Sequence, residues 1–157
     1  ALANEPEIIV ADEPTTALDV TIQAQVLGLI SGLRQSKGVS LLFITHDFGV
    51  VSELCDRVMV MYAGKVVETG TTDDVINSPL HPYTRRLIAC VPRLGEPDKQ
   101  IEAIPGLAPA VNRLPAGCAF ASRCDYAKSE CRKDHIALHE VEEGRTSRCI
   151  RVMKGEI

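Results

Sequence analysis

Two short, unbroken apolar runs lie near the start of the chain, separated by one stretch of helical periodicity. Glu7–Ala11 (EIIVA) is uncharged after its first residue and rich in β-branched side chains, which fits a strand buried on both faces of a parallel sheet. Asp12-Glu13-Pro14 ends it. From Val20 the period changes: Ile22, Val26, Leu29, Ile30 and Leu33 recur at helical spacing, and Gly38 follows Ser36-Lys37 as a left-handed cap. Ser40–Thr45 (SLLFIT) repeats the buried-strand pattern. Strand, helix and strand of these lengths predict a right-handed βαβ unit.

The pattern then shortens. Phe48–Cys55 reads as a short helix. Arg57–Tyr62 and Lys65–Glu68 flank Ala63-Gly64, which predicts a hairpin closed off by Gly70. Thr71-Thr72-Asp73-Asp74 opens another helix, with a hydroxyl cap and acids in its first turn. Pro82–Ala89 is a further helix with proline at its first position. Near Pro92 the character changes. Pro92, Pro97, Pro105, Pro109 and Pro115 exclude a continuous helix or a central strand there. The expected organisation is an α/β portion over 1–91, a Pro-rich linker over 92–117 and a cysteine-rich extension over 118–157, too short to fold without a staple.

Composition narrows the function classes. The chain has 157 residues, 45% of them hydrophobic, enough for a packed core. Its formal net charge of -4 argues against a general nucleic-acid binder. No apolar run approaches the ~20 residues that span a bilayer. The opening ALANEPEI has no signal-peptide character and no initial Met, which suggests a fragment and a reducing compartment. Of six cysteines, Cys55 and Cys90 sit in apolar segments as small core residues, whereas Cys118, Cys124, Cys131 and Cys149 crowd the last quarter.

Chemistry begins at the first strand tip. In open α/β sheets ligands bind at the carboxyl ends of strands. Asp12 there can hold Mg²⁺, directly or through water, and Glu13 can polarise a water for attack on a γ-phosphate. Two acids after a strand are also common as a turn with no role. The residues that follow change the balance: the run continues as DEPTTALD, and one helix and one strand later comes Thr45-His46-Asp47.

In these residues the chain closely resembles the ABC-type transport ATPases, over roughly residues 1–70. Ile8–Glu13 matches the Walker B strand, Thr16-Ala17-Leu18-Asp19 the D-loop and His46 the switch histidine, while Ala1-Leu2-Ala3 is similar to the end of the helix after the LSGGQ signature. The resemblance implies the second half of an ABC nucleotide-binding domain, with a parallel-sheet core. It gives Asp12 to the Mg²⁺ of Mg-ATP, Glu13 to the attacking water as general base and His46 to the γ-phosphate. Asp19 would reach across a nucleotide-sandwich dimer. The sequence contains no GxxxxGK[ST], no Q-loop and no LSGGQ, so this chain alone is expected to be inactive.

The tail carries a second resemblance. His81-Pro82-Tyr83-Thr84, then Asn112–Cys118, Phe120 and Arg123-Cys124, and the spacing Cys118-x5-Cys124-x6-Cys131-x17-Cys149 are similar to the C-terminal extension of oligopeptide and dipeptide importer ATPases. In that family the four cysteines are associated with a [4Fe–4S] cluster. Four thiolates suit such a cluster or a structural Zn²⁺, and reduced cysteines without metal are the plain alternative. The implied parent energises peptide import from the cytoplasmic face of the membrane, as a peripheral homo- or heterodimer of ATPase subunits docked on permease subunits. A solute-binding protein would act indirectly, and no nucleic acid is involved. Rival readings are a non-transport ABC ATPase and a metal-binding or redox module on an α/β scaffold. His135 and His139, four apart, could share a helix face as surface histidines. Arg85-Arg86 reads as solvated or as part of a protein contact.

Overall fold

The computed structural model describes residues 5–91 and 103–157, in two compact units that divide between Cys55 and Asp56. The tripeptide 1–3 and Pro92 and Pro97 of the expected linker lie outside the described residues.

In the first unit β1 (Ile8–Asp12) and β2 (Ser40–Ile44) pair in parallel, with Val10 opposite Leu42 and Asp12 opposite Ile44. The crossover is α1 (Val20–Lys37). Asp19 caps its start by accepting from the Ile22 N–H at 2.9 Å, and Gly38, at φ 64°, closes its end by donating to the Arg34 carbonyl. α2 (Phe48–Leu54) follows β2, capped by Asp47, whose Oδ1 accepts from Gly49 N–H at 2.8 Å. Leu27 of α1 and Val50 and Leu54 of α2 form the buried cluster, with Phe43 of β2 against it. Among the described residues, only one face of the strand pair is covered. Ile8, Val10, Leu42 and Ile44 alternate onto the other face and are exposed. The expectation of strands buried on both faces therefore fails for this chain.

The second unit is built on an antiparallel sheet, so the parallel core expected from the sequence is confined to β1 and β2. β3 (Arg57–Tyr62) and β4 (Lys65–Thr71) form a bulged hairpin whose two turn residues, Ala63 and Gly64, both have positive φ. Gly70 lies inside β4, which runs three residues beyond its expected end at Glu68. The Thr71–Asp74 capping box opens α3 (Thr72–Asn77), and α4 (Pro82–Ala89) begins at its proline with His81 as cap. The tail adds β5 (His139–Glu142), β6 (Arg145–Ser147) and α5 (Ile150–Met153), and the sheet order is β3-β4-β6-β5. Through Glu68↔Ser147 and Thr69↔Thr146 the tail completes the sheet of the hairpin. Residues 118–157 are thus continuous in packing with residues 56–91, whereas the sequence placed a boundary near Pro92. His139 is in a strand and shares no helix with His135.

Val60, Tyr62, Val67, Val75 and Phe120 make the core of this unit. The Tyr62, Tyr83 and Phe120 rings meet at 4.6–5.4 Å between centroids. Glu68, fully buried, accepts from the backbone N–H groups of Leu80 and His81 at 2.7 and 2.8 Å, which ties β4 to the start of α4. Arg145 reaches the Ser78 carbonyl and pairs with Glu142, with Glu68 4.0 Å away. Arg85 donates to the Pro79 carbonyl and stacks on Tyr126, and Arg86 pairs with Asp125, so this basic pair binds its own chain. No described helix is long and apolar enough to cross a membrane.

Candidate functional site

The carboxyl ends of β1 and β2 bring two chemically active side chains together. Glu13 extends the ladder by one bond, its N–H donating to the Ile44 carbonyl at 2.9 Å. It then adopts φ 43°, in the left-handed region that a non-glycine residue enters at a cost of about 1 kcal/mol or more. The turn aims the carboxylate along the strand tips. One oxygen accepts from Thr16 Oγ1 at 2.9 Å, and the other meets Nδ1 of His46 at 3.1 Å. These bonds, the Thr16 hydroxyl first and His46 second, hold the Glu13 carboxyl below the usual range. An ionised carboxylate only accepts, so Nδ1 carries the shared proton, and the Nε2 edge of His46 faces away from Glu13. His46 is 78% exposed, so that edge is open to solvent.

Asp12, exposed, ends β1 beside this pair, and its neighbour across the ladder is Ile44. Asp19 does not join them. It serves α1 as the N-cap, a role signalled by an aspartate directly before the amphipathic periodicity. Asp47, to which the sequence pattern gives no role of its own, supports the site. Its N–H donates to Thr45 Oγ1 at 3.0 Å and its carboxylate caps α2, which fixes the backbone on either side of His46.

The four tail cysteines are free thiols, and all four line one cavity in the second unit. Cys118 and Cys131 are brought together by the Cys118 N–H donating to the Cys131 carbonyl at 2.8 Å. Burial, with a further push from the neighbouring thiols, raises the Cys118 thiol to about 11 and raises Cys124 and Cys149 in the same sense. Arg148 and Arg151 also line the cavity, and no carboxylate does. His81 lines it too, held neutral by burial and by the Arg85 charge, which bring it down to about 4.

Among the described residues, no three His, Cys, Asp or Glu side chains stand together tightly enough to hold a metal ion. A tetrahedral zinc, with Zn–S near 2.3 Å, needs its sulfurs within about 4 Å of one another, so a preformed zinc site is not what the cysteines make.

The carboxylate and the histidine stand at the tips of a strand–helix–strand unit, the place where α/β proteins that bind ligands hold them, at the carboxyl ends of parallel strands. Known proteins narrow the class. Residues 67–131 match the family described as oligopeptide/dipeptide transporter, C-terminal region. The chain is 47% identical over 157 residues to a peptide import ATP-binding protein of Brucella ovis, covering 96% of this chain and 46% of the relative. It is 48% identical over 149 residues to another of Brucella abortus, covering 95% of this chain and 45% of the relative. The chain therefore spans about half the length of the relatives it matches. Among solved structures it is similar to CbiO1 of Clostridium perfringens, described as part of an ABC transporter complex. The identity is 31%, the TM-score 0.43, and the coverage 47% of this chain and 30% of that one. The resemblance to ATP-binding subunits of peptide importers, read from the two sets of motifs, stands on the family match and the Brucella relatives.

Proposed function

We propose that this chain forms the water-activating half of the ATP-binding subunit of a peptide importer. The observation that carries the reading is the Glu13–His46 pair at adjacent strand tips, 3.1 Å apart. Phosphoryl transfer needs positioned charge more than covalent chemistry, and an exposed, ionised carboxylate oriented by two donors is suited to hold a water for in-line attack. Asp12 would take the Mg²⁺ of Mg-ATP. His46 would present its Nε2 edge to the reacting groups while Nδ1 keeps Glu13 in place. Asp19 would contact a second ATPase subunit, and permease subunits would seat the dimer on the cytoplasmic face of the membrane, with a solute-binding protein engaged only through them. The phosphate-cradling loop would come from sequence that relatives carry beyond this match.

The four cysteines would hold a [4Fe–4S] cluster, which when bound supplies a covalent staple to the tail. What supports this is the shared cavity, its free thiols and its lack of acids.

The test is ATP turnover by the full-length protein. Glu13→Gln keeps shape and removes charge, so nucleotide binding should persist while turnover falls about 10²-fold or more. Wild-type turnover in Glu13→Gln would remove Glu13 from the chemistry.

A further inference from the structure

We propose that Gln23 is a positioning residue for His46, and that it acts through Asp47 by tying the start of α1 to the loop that carries the histidine. The inference rests on the reading of Glu13 and His46 above and extends the site to a third element.

His46 stands on the loop between β2 and α2. Among the described residues its imidazole makes one bond, the 3.1 Å contact of Nδ1 with Glu13. Its backbone is held by Asp47. The Asp47 N–H donates to Thr45 Oγ1 at 3.0 Å, and Oδ1 accepts from the Gly49 and Val50 N–H groups at 2.8 and 3.5 Å. All three partners lie within three residues of Asp47, so these bonds shape the loop and leave open where it sits over Glu13. The other oxygen reaches a different element. Oδ2 accepts from Nε2 of Gln23 at 3.4 Å. An ionised carboxylate has no proton to give, so the Gln23 amide turns its NH₂ group towards it.

The helix sets Gln23 up for this contact. Gln23 is half-buried and one turn past the Asp19 cap, its N–H donating to the Asp19 carbonyl at 2.8 Å. Near the other end of α1, Arg34 donates to the Leu54 carbonyl at 2.9 Å. α1 therefore grips α2 at its N-cap and at its last residue, with Leu27, Val50 and Leu54 buried between them. Of the two grips, Gln23 is the one beside His46. A long hydrogen bond at the surface adds little to stability. A reacting group displaced by about 1 Å, however, can cost about 10²-fold in rate. Gln23 matters to turnover more than to folding.

ATP turnover by the full-length protein tests this, with Gln23→Leu, Gln23→Glu and Gln23→Lys. The first removes the donor, the second sets a like charge against Asp47 and the third restores a donor. In Gln23→Leu kcat should fall about threefold to tenfold, and further in Gln23→Glu, with KM for ATP and the melting midpoint close to wild type. Gln23→Lys should recover most of the loss. Asp47→Ser gives a second arm, because serine still caps α2 and offers Gln23 no carboxylate. In that background Gln23→Leu should cost nothing further. Unchanged kcat in both Gln23→Leu and Gln23→Glu overturns the proposal. Equal loss in all three variants makes Gln23 a purely structural residue and overturns it, as does a full effect of Gln23→Leu in the Asp47→Ser background. If Gln23→Leu does not fold, Gln23→Glu and Gln23→Lys decide, since they differ in charge at one position, and equal rates overturn it. Wild-type turnover in Glu13→Gln sinks the underlying reading instead, an outcome distinct from all of these.

Discussion

Single residues show most sharply what a sequence reveals and what it hides. The meeting of Glu13 and His46 was legible in the sequence, because each closely follows one of the two apolar strand runs. The left-handed backbone of Glu13 was not, since nothing in DEPTT announces a positive φ at a glutamate. Gly117 was equally silent. A Cβ there would stand inside the contact distance of the Cys131 carbonyl oxygen, which the Cys118 N–H also needs. Gly117→Ala should cost about 1–3 kcal/mol by overpacking and loosen the cysteine cavity. Faster alkylation of Cys118 and Cys131, together with a lower urea midpoint, would record both effects. His81 gives a pH prediction. Its folded value, about 4, lies below the unfolded value of 6.5, so the unfolded chain takes up a proton first as pH falls. Stability is whole above pH ~6.5 and declines towards pH 4, by about 3 kcal/mol at pH ~4.5. His81→Asn keeps a cap acceptor for the Tyr83 N–H and should lack this part of the decline in urea titrations at the two pH values.

At the scale of elements, periodicity worked where segments were long. The 18-residue α1 forms where its period predicts, between an aspartate cap and a glycine stop, although Ile22 and Leu29 of the expected apolar face are exposed and Leu27 is the buried one. β5 and β6, of four and three residues, are too short to show any period, and the pairing of β6 with β4 joins residues 79 apart in the case of Glu68 and Ser147, roughly half the chain. The cap of α1 separates two roles of one residue. Asp19→Ala should lower stability by about 1 kcal/mol, whereas Asp19→Asn, which still accepts from the Ile22 N–H, should be close to neutral. If both substitutions leave the urea midpoint unchanged, Asp19 is not an effective cap. If Asp19→Asn is stable but slows turnover in the full-length protein, its charge serves the proposed subunit contact.

For the molecule as a whole, the expected α/β portion over 1–91 is divided after Cys55, and residues 56–91 pack in one unit with the tail. The tail was read as a separate extension because prolines interrupt the stretch before it, and prolines report on local backbone and not on what later pairs across it. Arg145 shows the actual attachment. It lies buried against the Ser78 and Asp74 carbonyls, beside the buried Glu68. Arg145→Met should leave that carboxylate without its cation and cost about 3 kcal/mol. Limited proteolysis would then cut within 118–157 much faster than in wild type, whereas an independently folded extension would keep its resistance.

The uncovered side of the β1–β2 pair carries a consequence for the life of the polypeptide in a cell. Ile8 and Val10 are 63% and 61% exposed, beside Leu42 and Ile44, on strands with open edges. A chain in this state is sticky. It should bind a hydrophobic dye and self-associate as its concentration rises. Val10→Lys with Leu42→Glu should cut dye binding severalfold while leaving Leu27, Val50 and Leu54 packed on the opposite side. The side chains that would make the chain self-associate are the ones a covering surface would have to hide.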